Sequence, residues 1–190
     1  MIEVRDIIEE DIAEALRISA DELGDDYLDA SDFRATMEPG DDQFCKVVLL
    51  DGKVAGFAIC QVFGPEKEPE LLKLPDCPER DEVMSLSKIG LLDSVSIDNS
   101  LKGHGLGTAL CNECVREMRD FGCEMICAMA WKSYIRQETN IAPILKKFGM
   151  EETIQIKGYW NGMVDTPGGQ HCPECGTACK CYGVFWKRRI

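Results

Sequence analysis

The segment Lys102-Gly103-His104-Gly105-Leu106-Gly107-Thr108 constrains the fold of this chain more than any other feature. Strand-like residues, Ile89–Ile97, precede it, and an apolar pattern at helical spacing follows it and ends at Gly122. That pattern consists of Leu106, Leu110, Cys114, Met118 and Phe121. Residues Cys123–Trp131 are apolar on both faces apart from Glu124, which is typical of a strand buried between layers. The order strand, glycine turn, helix, strand predicts a β-α-β unit.

The rest of the chain predicts an α/β (α+β) fold, with a mixed, mostly antiparallel central sheet flanked by helices. Phe44–Leu50 and Lys53–Phe63 are rich in Val, Ile and Phe, and the intervening Asp51-Gly52 is a strong hairpin signal. Further strands are predicted at Ile2–Arg5, Thr153–Trp160 and Tyr182–Lys187, and helices at Glu9–Glu22, Tyr27–Met37 and Asn140–Phe148. Gly64–Ser87 contains four prolines and seven acidic residues, which predicts a long surface loop.

Length and composition favour one domain over residues 1–190. A chain of 190 residues, 45% of them hydrophobic, can close a single well-buried core. No apolar run approaches the roughly 18 residues that a membrane helix needs, and the N-terminal segment is acidic, unlike a secretory signal. We therefore expect a cytoplasmic protein without a membrane partner, in which most of the eleven cysteines are buried thiols.

The net charge of −13 is concentrated in residues 1–42, which hold 15 acidic side chains against three arginines and so carry −12. Such an anionic region repels nucleic acid and favours a cationic partner. The alternative interpretation is a solvated acidic helix face that only aids solubility.

The glycine turn predicts an anion site. A strand that enters closely spaced glycines and then a helix brings several backbone N–H groups together with the positive end of a helix dipole. Lys102, His104 and Thr108 add charge and hydrogen-bonding groups. A Walker motif is excluded because no Lys-Ser or Lys-Thr follows the last glycine, and the G-x-G-x-G spacing fits a Rossmann dinucleotide site poorly. A purely structural turn is the remaining alternative.

The chain resembles the GNAT superfamily of acyl-CoA-dependent N-acyltransferases, whose signature is Arg or Gln, two residues, Gly, one residue, then Gly or Ala. Lys102-Gly103-His104-Gly105-Leu106-Gly107 fits that frame. Leu91–Ile97 is similar to the strand before the signature, and Asn140 to Met150 to the helix and turn that follow. The resemblance covers most of residues 1–160. It implies an enzyme that transfers an acyl group from acyl-CoA to an amine, with acetyl-CoA as the expected donor.

The resemblance also implies where the cofactor binds. In the family, one strand splays from its neighbour and pantetheine lies in the gap, held by backbone amides that correspond to Val95 and Ile97. The glycine turn grips the pyrophosphate. The implied cofactor-binding residues are therefore Val95, Ile97, Lys102, Gly103, His104, Gly105, Leu106, Gly107, Thr108 and Asn140.

Two departures from the family pattern concern the chemistry. Lys102 replaces the usual Arg or Gln, and Leu145 replaces a tyrosine that protonates the leaving thiolate in many relatives. We predict Tyr134 as the substitute acid, with Tyr159 or water as alternatives, and Asp93 as the general base. Glu124 and then Asp98 are the alternative bases. The missing tyrosine also leaves a rival function, a non-catalytic acyl-CoA-binding or sensor protein.

The cysteine cluster Cys172, Cys175, Cys179 and Cys181 predicts a structural zinc site. Four thiolates satisfy the tetrahedral preference of zinc and leave no open position for catalysis. The cluster lies in a Cys-rich insertion, residues 161–181, within the predicted last hairpin. The spacing is tighter than in an ordinary zinc ribbon, so an iron–sulfur cluster, a disulfide pair or free thiols remain alternatives.

Overall fold

A computed structural model of the chain contains one seven-stranded sheet with helices on both faces. It describes residues 1–25, 27–40, 42–163, 172, 174–176 and 178–190. The strands are β1 (Ile2–Asp6), β2 (Gln43–Leu50), β3 (Lys53–Phe63), β4 (Ile89–Ile97), β5 (Met125–Lys132), β6 (Glu151–Lys157) and β7 (Tyr182–Arg189). The helices are α1 (Ile12–Leu23), α2 (Ala30–Ala35), α3 (Glu68–Leu71), α4 (Pro78–Met84), α5 (Leu106–Asp120) and α6 (Ala142–Lys147).

The strand order is β1-β2-β3-β4-β5-β7-β6. Every neighbouring pair is antiparallel except β4 and β5, which are parallel and connected by α5. This confirms the predicted mixed, mostly antiparallel sheet and the β-α-β unit around the glycine turn. The predicted hairpin is also confirmed, because β2 and β3 pair on either side of Asp51 and Gly52, which both have positive φ.

The two faces of the sheet bury separate hydrophobic clusters. On one face, α5 packs its apolar stripe of Leu106, Leu110, Cys114 and Met118, each at most 1% exposed, against β1 to β4, and the cluster extends to β5 and β7. On the other face, α1 and α2 cover β2 and β3, where Phe33 packs edge-to-face on Phe57 with ring centroids 5.1 Å apart. Burial on both faces accounts for the apolar composition of the central strands.

The prediction of a surface loop over Gly64–Ser87 is wrong. This segment contains α3 and α4, and Leu72 and Val83 are fully buried in a third cluster beneath it. Pro69 and Pro78 lie in the first turns of these helices, where a proline loses no hydrogen bond. The prolines therefore mark helix starts and not the absence of helices.

The last two strands pair antiparallel as predicted, but β6 ends at Lys157 and not at Trp160. Gly158 has φ +67° and turns the chain, so that Tyr159–Met163 form a 3-10 helix. Tyr159 and Trp160, which the sequence pattern predicts in a strand, therefore lie outside the sheet. Among the described residues, no helix combines the length and the apolar character required to cross a bilayer.

Candidate active site

The sheet opens between β4 and β5. Their pairing is limited to Ile89–Leu91 of β4 against Met125–Cys127 of β5. Beyond this point β5 continues to pair with β7 as far as Lys132, while β4 continues to pair with β3 as far as Ile97. The two strands thus separate towards their carboxyl ends, and the glycine turn follows directly after the open end of β4.

Two backbone N–H groups of β4 point into this gap. Asp98 N donates to Ala55 O of the β3 side over 2.9 Å. Because successive residues of a strand direct their N–H groups to opposite edges, Ser96 also points towards β3, whereas Ile97 and Val95 point away from it. The gap is therefore lined by main-chain donors at the two positions that the sequence predicted.

The glycine turn forms the N-terminal end of α5. Gly103 and Gly105 have φ +88° and +81°, and Gly105 is the N-cap residue, so both positions require the left-handed backbone that glycine adopts without strain. Gly107 has a different role, because a Cβ atom there would lie 2.7 Å from Ile144 Cδ1. Its absence lets α6 approach the first turn of α5. The free N–H groups of this 15-residue helix point out of the turn and can hold an anion.

Two of the polar side chains near the turn already have partners in the protein. Lys102 pairs with Glu22 of α1, and His104 Nδ1 lies 3.0 Å from Leu101 O. Thr108 is half-buried in the first turn of α5, and Asn140 is exposed just before α6. The packing of α6 against the turn brings the Asn140 segment to the same end of the sheet as the glycines.

A bulge in β4 changes which of its side chains share a face. Ile59 pairs with Ser94 and Cys60 with Leu92, so Asp93 is an extra residue without a partner on β3. Leu91 belongs to the cluster under α3 and α4, whereas Val95 and Ile97 pack into the α5 cluster. Strict alternation along the strand predicts one common face for these residues and Asp93, and this prediction is wrong because alternation cannot anticipate a bulge.

The bulge places Asp93 in a small cleft of about 100 Å³ on the face opposite α5. The cleft is lined by Tyr27, Leu71, Leu91, Asp93, Met129, Tyr159 and Trp160. The Asp93 side chain is exposed to solvent at the cleft, yet the atoms around it partly desolvate its carboxyl group and raise its pKa above the ordinary value. The hydrogen bond that Gln61 Nε2 donates over 3.2 Å lowers the pKa, and the charge of Asp32 raises it. A carboxylate with a raised pKa among aromatic side chains can accept a proton from an ammonium group near neutral pH.

The two alternative carboxylates are engaged elsewhere. Glu124 Oε1 accepts a hydrogen bond of 2.7 Å from Ser87 N, which lowers its pKa. Hydrogen bonds from Ser100 and the Arg17 guanidinium lower the pKa of Asp98 to about 2. Carboxylates with lowered pKa values are weak bases, so the geometry favours Asp93.

The tyrosines are divided between two places. Tyr159 lines the cleft with Asp93 and donates a hydrogen bond of 2.8 Å to Leu72 O, and burial raises its pKa. Tyr134 follows β5, is 42% exposed and lies beside the cysteine cluster, where its N–H donates to Cys181 Sγ over 3.4 Å. Leu145 is fully buried in the α5 cluster. The role of Tyr134 as proton donor stays a prediction.

The four clustered cysteines are geometrically suited to one metal ion. Their Sγ atoms all lie within 4.8 Å of one another, and Cys181 Sγ is 3.7 Å from both Cys172 Sγ and Cys175 Sγ. Two thiolates bound to one zinc ion at about 2.3 Å in tetrahedral geometry are about 3.8 Å apart. Cys172 and Gly176 exchange backbone hydrogen bonds of 3.1 and 2.9 Å, and Gly176 has φ +69°, so a tight turn presents the first two thiols. His171 precedes the cluster and is predicted from the sequence as a ligand that could replace one cysteine; it lies outside the described residues.

Sequence reasoning missed most of the cleft. Tyr27 lies between α1 and α2, Leu71 in α3 and Met129 in β5, and they carry no local pattern that distinguishes them from core residues. Trp160 and Tyr159 were assigned to a strand. The left-handed Gly158 immediately before them is the signal that could have identified the turn.

Comparisons with known proteins agree with this geometry. Residues 6–134 match the model of the Acetyltransferase (GNAT) family. The fold is similar to the ribosomal-protein-S18-alanine N-acetyltransferase of Escherichia coli, with a TM-score of 0.61 and 16% identity, covering 100% of this chain and 94% of that one. It is also similar to Arabidopsis thaliana NAA60 in complex with acetyl-CoA, with a TM-score of 0.69, 14% identity, and coverage of 100% and 99%.

A third similar structure is an agmatine N-acetyltransferase, with a TM-score of 0.63, 14% identity and full coverage of both chains. Among curated proteins, none matches the chain. The family match spans more than two thirds of the sequence and includes β4, the glycine turn and α5, which together form the opening and the anion site. The chain therefore belongs to the Acetyltransferase (GNAT) family and is an acyl-CoA-dependent N-acetyltransferase.

Proposed function

We propose that this enzyme transfers the acetyl group of acetyl-CoA to a cationic primary amine by direct attack in a ternary complex, with residues 1–190 acting as one domain. The observation that carries the proposal is the juxtaposition of the β4–β5 gap with the glycine turn at its end and the Asp93 cleft beside it. Acetyl-CoA enters through the gap, and the amine enters through the cleft.

The main chain binds the donor. The amides of the glycine turn and the N-terminal end of α5 hold the pyrophosphate, with Lys102 contributing charge once it leaves Glu22. The N–H groups of Val95 and Ile97 hold pantetheine and place a donor at the thioester carbonyl, where negative charge develops as the amine attacks. Asn140, next to the turn, provides a further polar contact.

Asp93 is the proposed general base. It accepts a proton from the bound ammonium, and the neutral nitrogen then attacks the thioester carbon, so that the C–N bond forms as the C–S bond breaks. The raised pKa of Asp93 suits this step, because a carboxyl group with an ordinary pKa is too weak a base near neutral pH. The departing thiolate takes its proton from Tyr134 or from water, and the second proton that the nitrogen loses as the amide forms passes through water to restore that donor.

Charge around the cleft supports a cationic acceptor. Asp32 of α2 is close enough to Asp93 to raise its pKa, so the acceptor meets at least two carboxylates near the cleft. Tyr27, Tyr159 and Trp160 add aromatic faces, which attract an ammonium group. Two acids of the first 42 residues, Asp6 and Glu22, pair with Lys46 and Lys102, which lie outside that segment and offset part of its −12 charge.

The cysteine cluster is proposed to hold a structural zinc ion, with Cys172, Cys175, Cys179 and Cys181 as its ligands. The S–S spacing and the tight turn at Gly176 support this assignment. None of the eleven cysteines forms a disulfide, which supports a reducing, cytoplasmic location. Four thiolates close the coordination sphere, so zinc would contribute to folding and not to acetyl transfer.

The acceptor is tested with acetyl-CoA and a panel of amines: spermidine, agmatine, an aminoglycoside, a lysine-rich peptide, a peptide that begins with alanine, and neutral amines of matched size. Turnover is measured as released CoA thiol. We expect the cationic amines to have the higher kcat/KM and their KM to rise with salt, because screening weakens charge attraction. Equal turnover of neutral and cationic amines, or no effect of salt, would contradict a cationic acceptor.

The zinc proposal is tested by native mass spectrometry of the purified protein with and without acetyl-CoA, which reports metal, cofactor and assembly in one measurement. We expect one zinc ion per chain that is lost in Cys175→Ser and retained in Cys77→Ser, a cysteine outside the cluster. Iron, or a mass without metal after zinc has been supplied, would overturn it.

A further inference from the structure

The cysteine cluster is hydrogen-bonded to the segment that contains Tyr159 and Trp160, which form the aromatic wall of the cleft. Asn161 Nδ2 donates to Cys179 O over 2.9 Å, and Cys179 N donates to Asn161 Oδ1 over 2.7 Å. Gly158 N donates to Cys181 O over 2.8 Å. The backbone of two proposed metal ligands is therefore hydrogen-bonded to both ends of the turn Gly158–Asn161.

The residues between these attachment points are Tyr159 and Trp160, which line the cleft with Asp93. Their rings pack edge-to-face, with centroids 4.7 Å apart. The Tyr159 ring lies against Gly183 of β7, where a Cβ atom would be 2.6 Å from Tyr159 Cγ, so the backbone of β7 fixes its position. Any displacement of the turn therefore moves the cleft wall itself.

The cluster also holds the loop after β5. Ser133 Oγ, which is fully buried, donates to both carboxylate oxygens of Glu174 at 2.6 and 2.7 Å, and Tyr134 N donates to Cys181 Sγ. Glu174 lies between the first two cysteines of the cluster. The cysteine cluster thus connects the loop after β5 with the turn Gly158–Asn161, and both border the same end of the sheet.

We infer that the metal-bound cysteine cluster positions the aromatic wall of the acceptor cleft, and that Asn161 is the positioning residue that transmits its geometry. Without metal, four thiols have only weak mutual hydrogen bonds to hold them together, so Cys179 and Asn161 lose a fixed partner. The consequence is specific: acceptor binding depends on the cluster, whereas acetyl-CoA binding, which uses the glycine turn, does not. This inference rests on the proposed acceptor cleft and zinc site.

The test compares Asn161→Ala, Asn161→Asp and the control Asn112→Ala, an exposed asparagine of α5, all in the zinc-loaded protein. Hydrogen–deuterium exchange reports order without requiring a known acceptor. We expect amides of residues 158–161 to exchange at least about tenfold faster in Asn161→Ala, since two hydrogen bonds are lost. Asn161→Asp keeps the acceptor for Cys179 N and should be intermediate. Residues 102–110, which include the glycine turn, should be unchanged in every variant.

Kinetics provide the second readout, with the best amine of the panel. Asn161→Ala should raise the acceptor KM about five- to twentyfold, from the same two hydrogen bonds, while the KM for acetyl-CoA changes less than about twofold. Chelation of zinc from the wild-type protein should reproduce both the exchange and the KM pattern. Asn112→Ala should match the wild type.

The outcomes separate the linked proposals. Unchanged exchange at residues 158–161 in a folded, zinc-loaded Asn161→Ala protein would overturn the positioning role, as would an equal rise in both KM values. Failure of every amine would contradict the proposed acceptor, while the exchange measurement still tests Asn161. If mass spectrometry finds no metal, the metal dependence is overturned.

Discussion

The proposed donor site and the proposed acceptor site of this enzyme are built in opposite ways. The proposed donor site consists mainly of main-chain groups from one continuous stretch, from Val95 on β4 to Thr108 at the start of α5. The proposed acceptor cleft consists of side chains from segments that lie far apart in sequence, such as Tyr27, Asp93 and Tyr159. Main-chain recognition requires glycine at fixed spacing and so leaves a sequence signature, whereas a cleft made of side chains leaves none.

The glycine turn provides the strongest test of this contrast between the main-chain donor site and the side-chain acceptor cleft. Gly105→Leu should weaken coenzyme A binding at least about a hundredfold, because a side chain at this position would block the approach of a phosphate to the backbone. Isothermal titration measures the affinity. The matched control is Gly52→Leu in the β2–β3 hairpin, because both glycines have φ near +80° and open space around the Cβ position.

Both variants should lose similar stability, about 1–2 kcal/mol from left-handed strain, measured by thermal denaturation. Coenzyme A affinity should change only in Gly105→Leu. Retained affinity in that variant would refute the proposed pyrophosphate site.

On the acceptor side, the largest effect is expected at Asp93. Asp93→Asn should lower kcat/KM about a hundredfold or more, the lower part of the range for a general base, and leave coenzyme A affinity unchanged. The rate of the wild-type enzyme should rise with pH through the raised pKa of Asp93, because only the ionised carboxylate accepts a proton. This rise on the acidic side of the pH–rate profile, the acid limb, should disappear in Asp93→Asn.

Asp120→Asn, an exposed aspartate at the end of α5, is the control for the loss of one negative charge. An acid limb that persists in Asp93→Asn would assign the base to another residue. Because Asp32 also raises the pKa of Asp93, Asp32→Asn should move the limb to lower pH without removing it.

The same contrast explains what could be predicted from the sequence. The β-α-β unit follows from patterns of neighbouring residues, whereas the family resemblance implies the amides of Val95 and Ile97, which the structure directs into the gap. The cleft could not be predicted, because it depends on a bulge at Asp93 and on a turn at Gly158 that redirects Tyr159. Both are local departures from alternation, and only tertiary contacts reveal their consequence.

Lys102 tests how much charge adds to main-chain recognition. Lys102→Gln should weaken coenzyme A binding about fivefold at low salt, and the difference should shrink as salt rises. Glu22→Gln should act in the opposite direction, because it releases Lys102 from its ion pair. Lys53→Gln, at the exposed start of β3, is the control. Equal affinity of Lys102→Gln and the wild type at low salt would show that the backbone acts alone.

The smallest effect is expected at Tyr134, the proposed proton donor to the leaving thiolate. Because this tyrosine is partly exposed, water can protonate the departing thiolate in its place, so Tyr134→Phe should lower kcat only about threefold. Both KM values should stay unchanged, since only the hydroxyl is removed. Tyr159→Phe, by contrast, loses the hydrogen bond to Leu72 O and should raise the acceptor KM. A hundredfold fall in kcat for Tyr134→Phe would instead identify a dedicated acid, and Tyr134 would then have to reach the thiolate from its place beside the cysteine cluster.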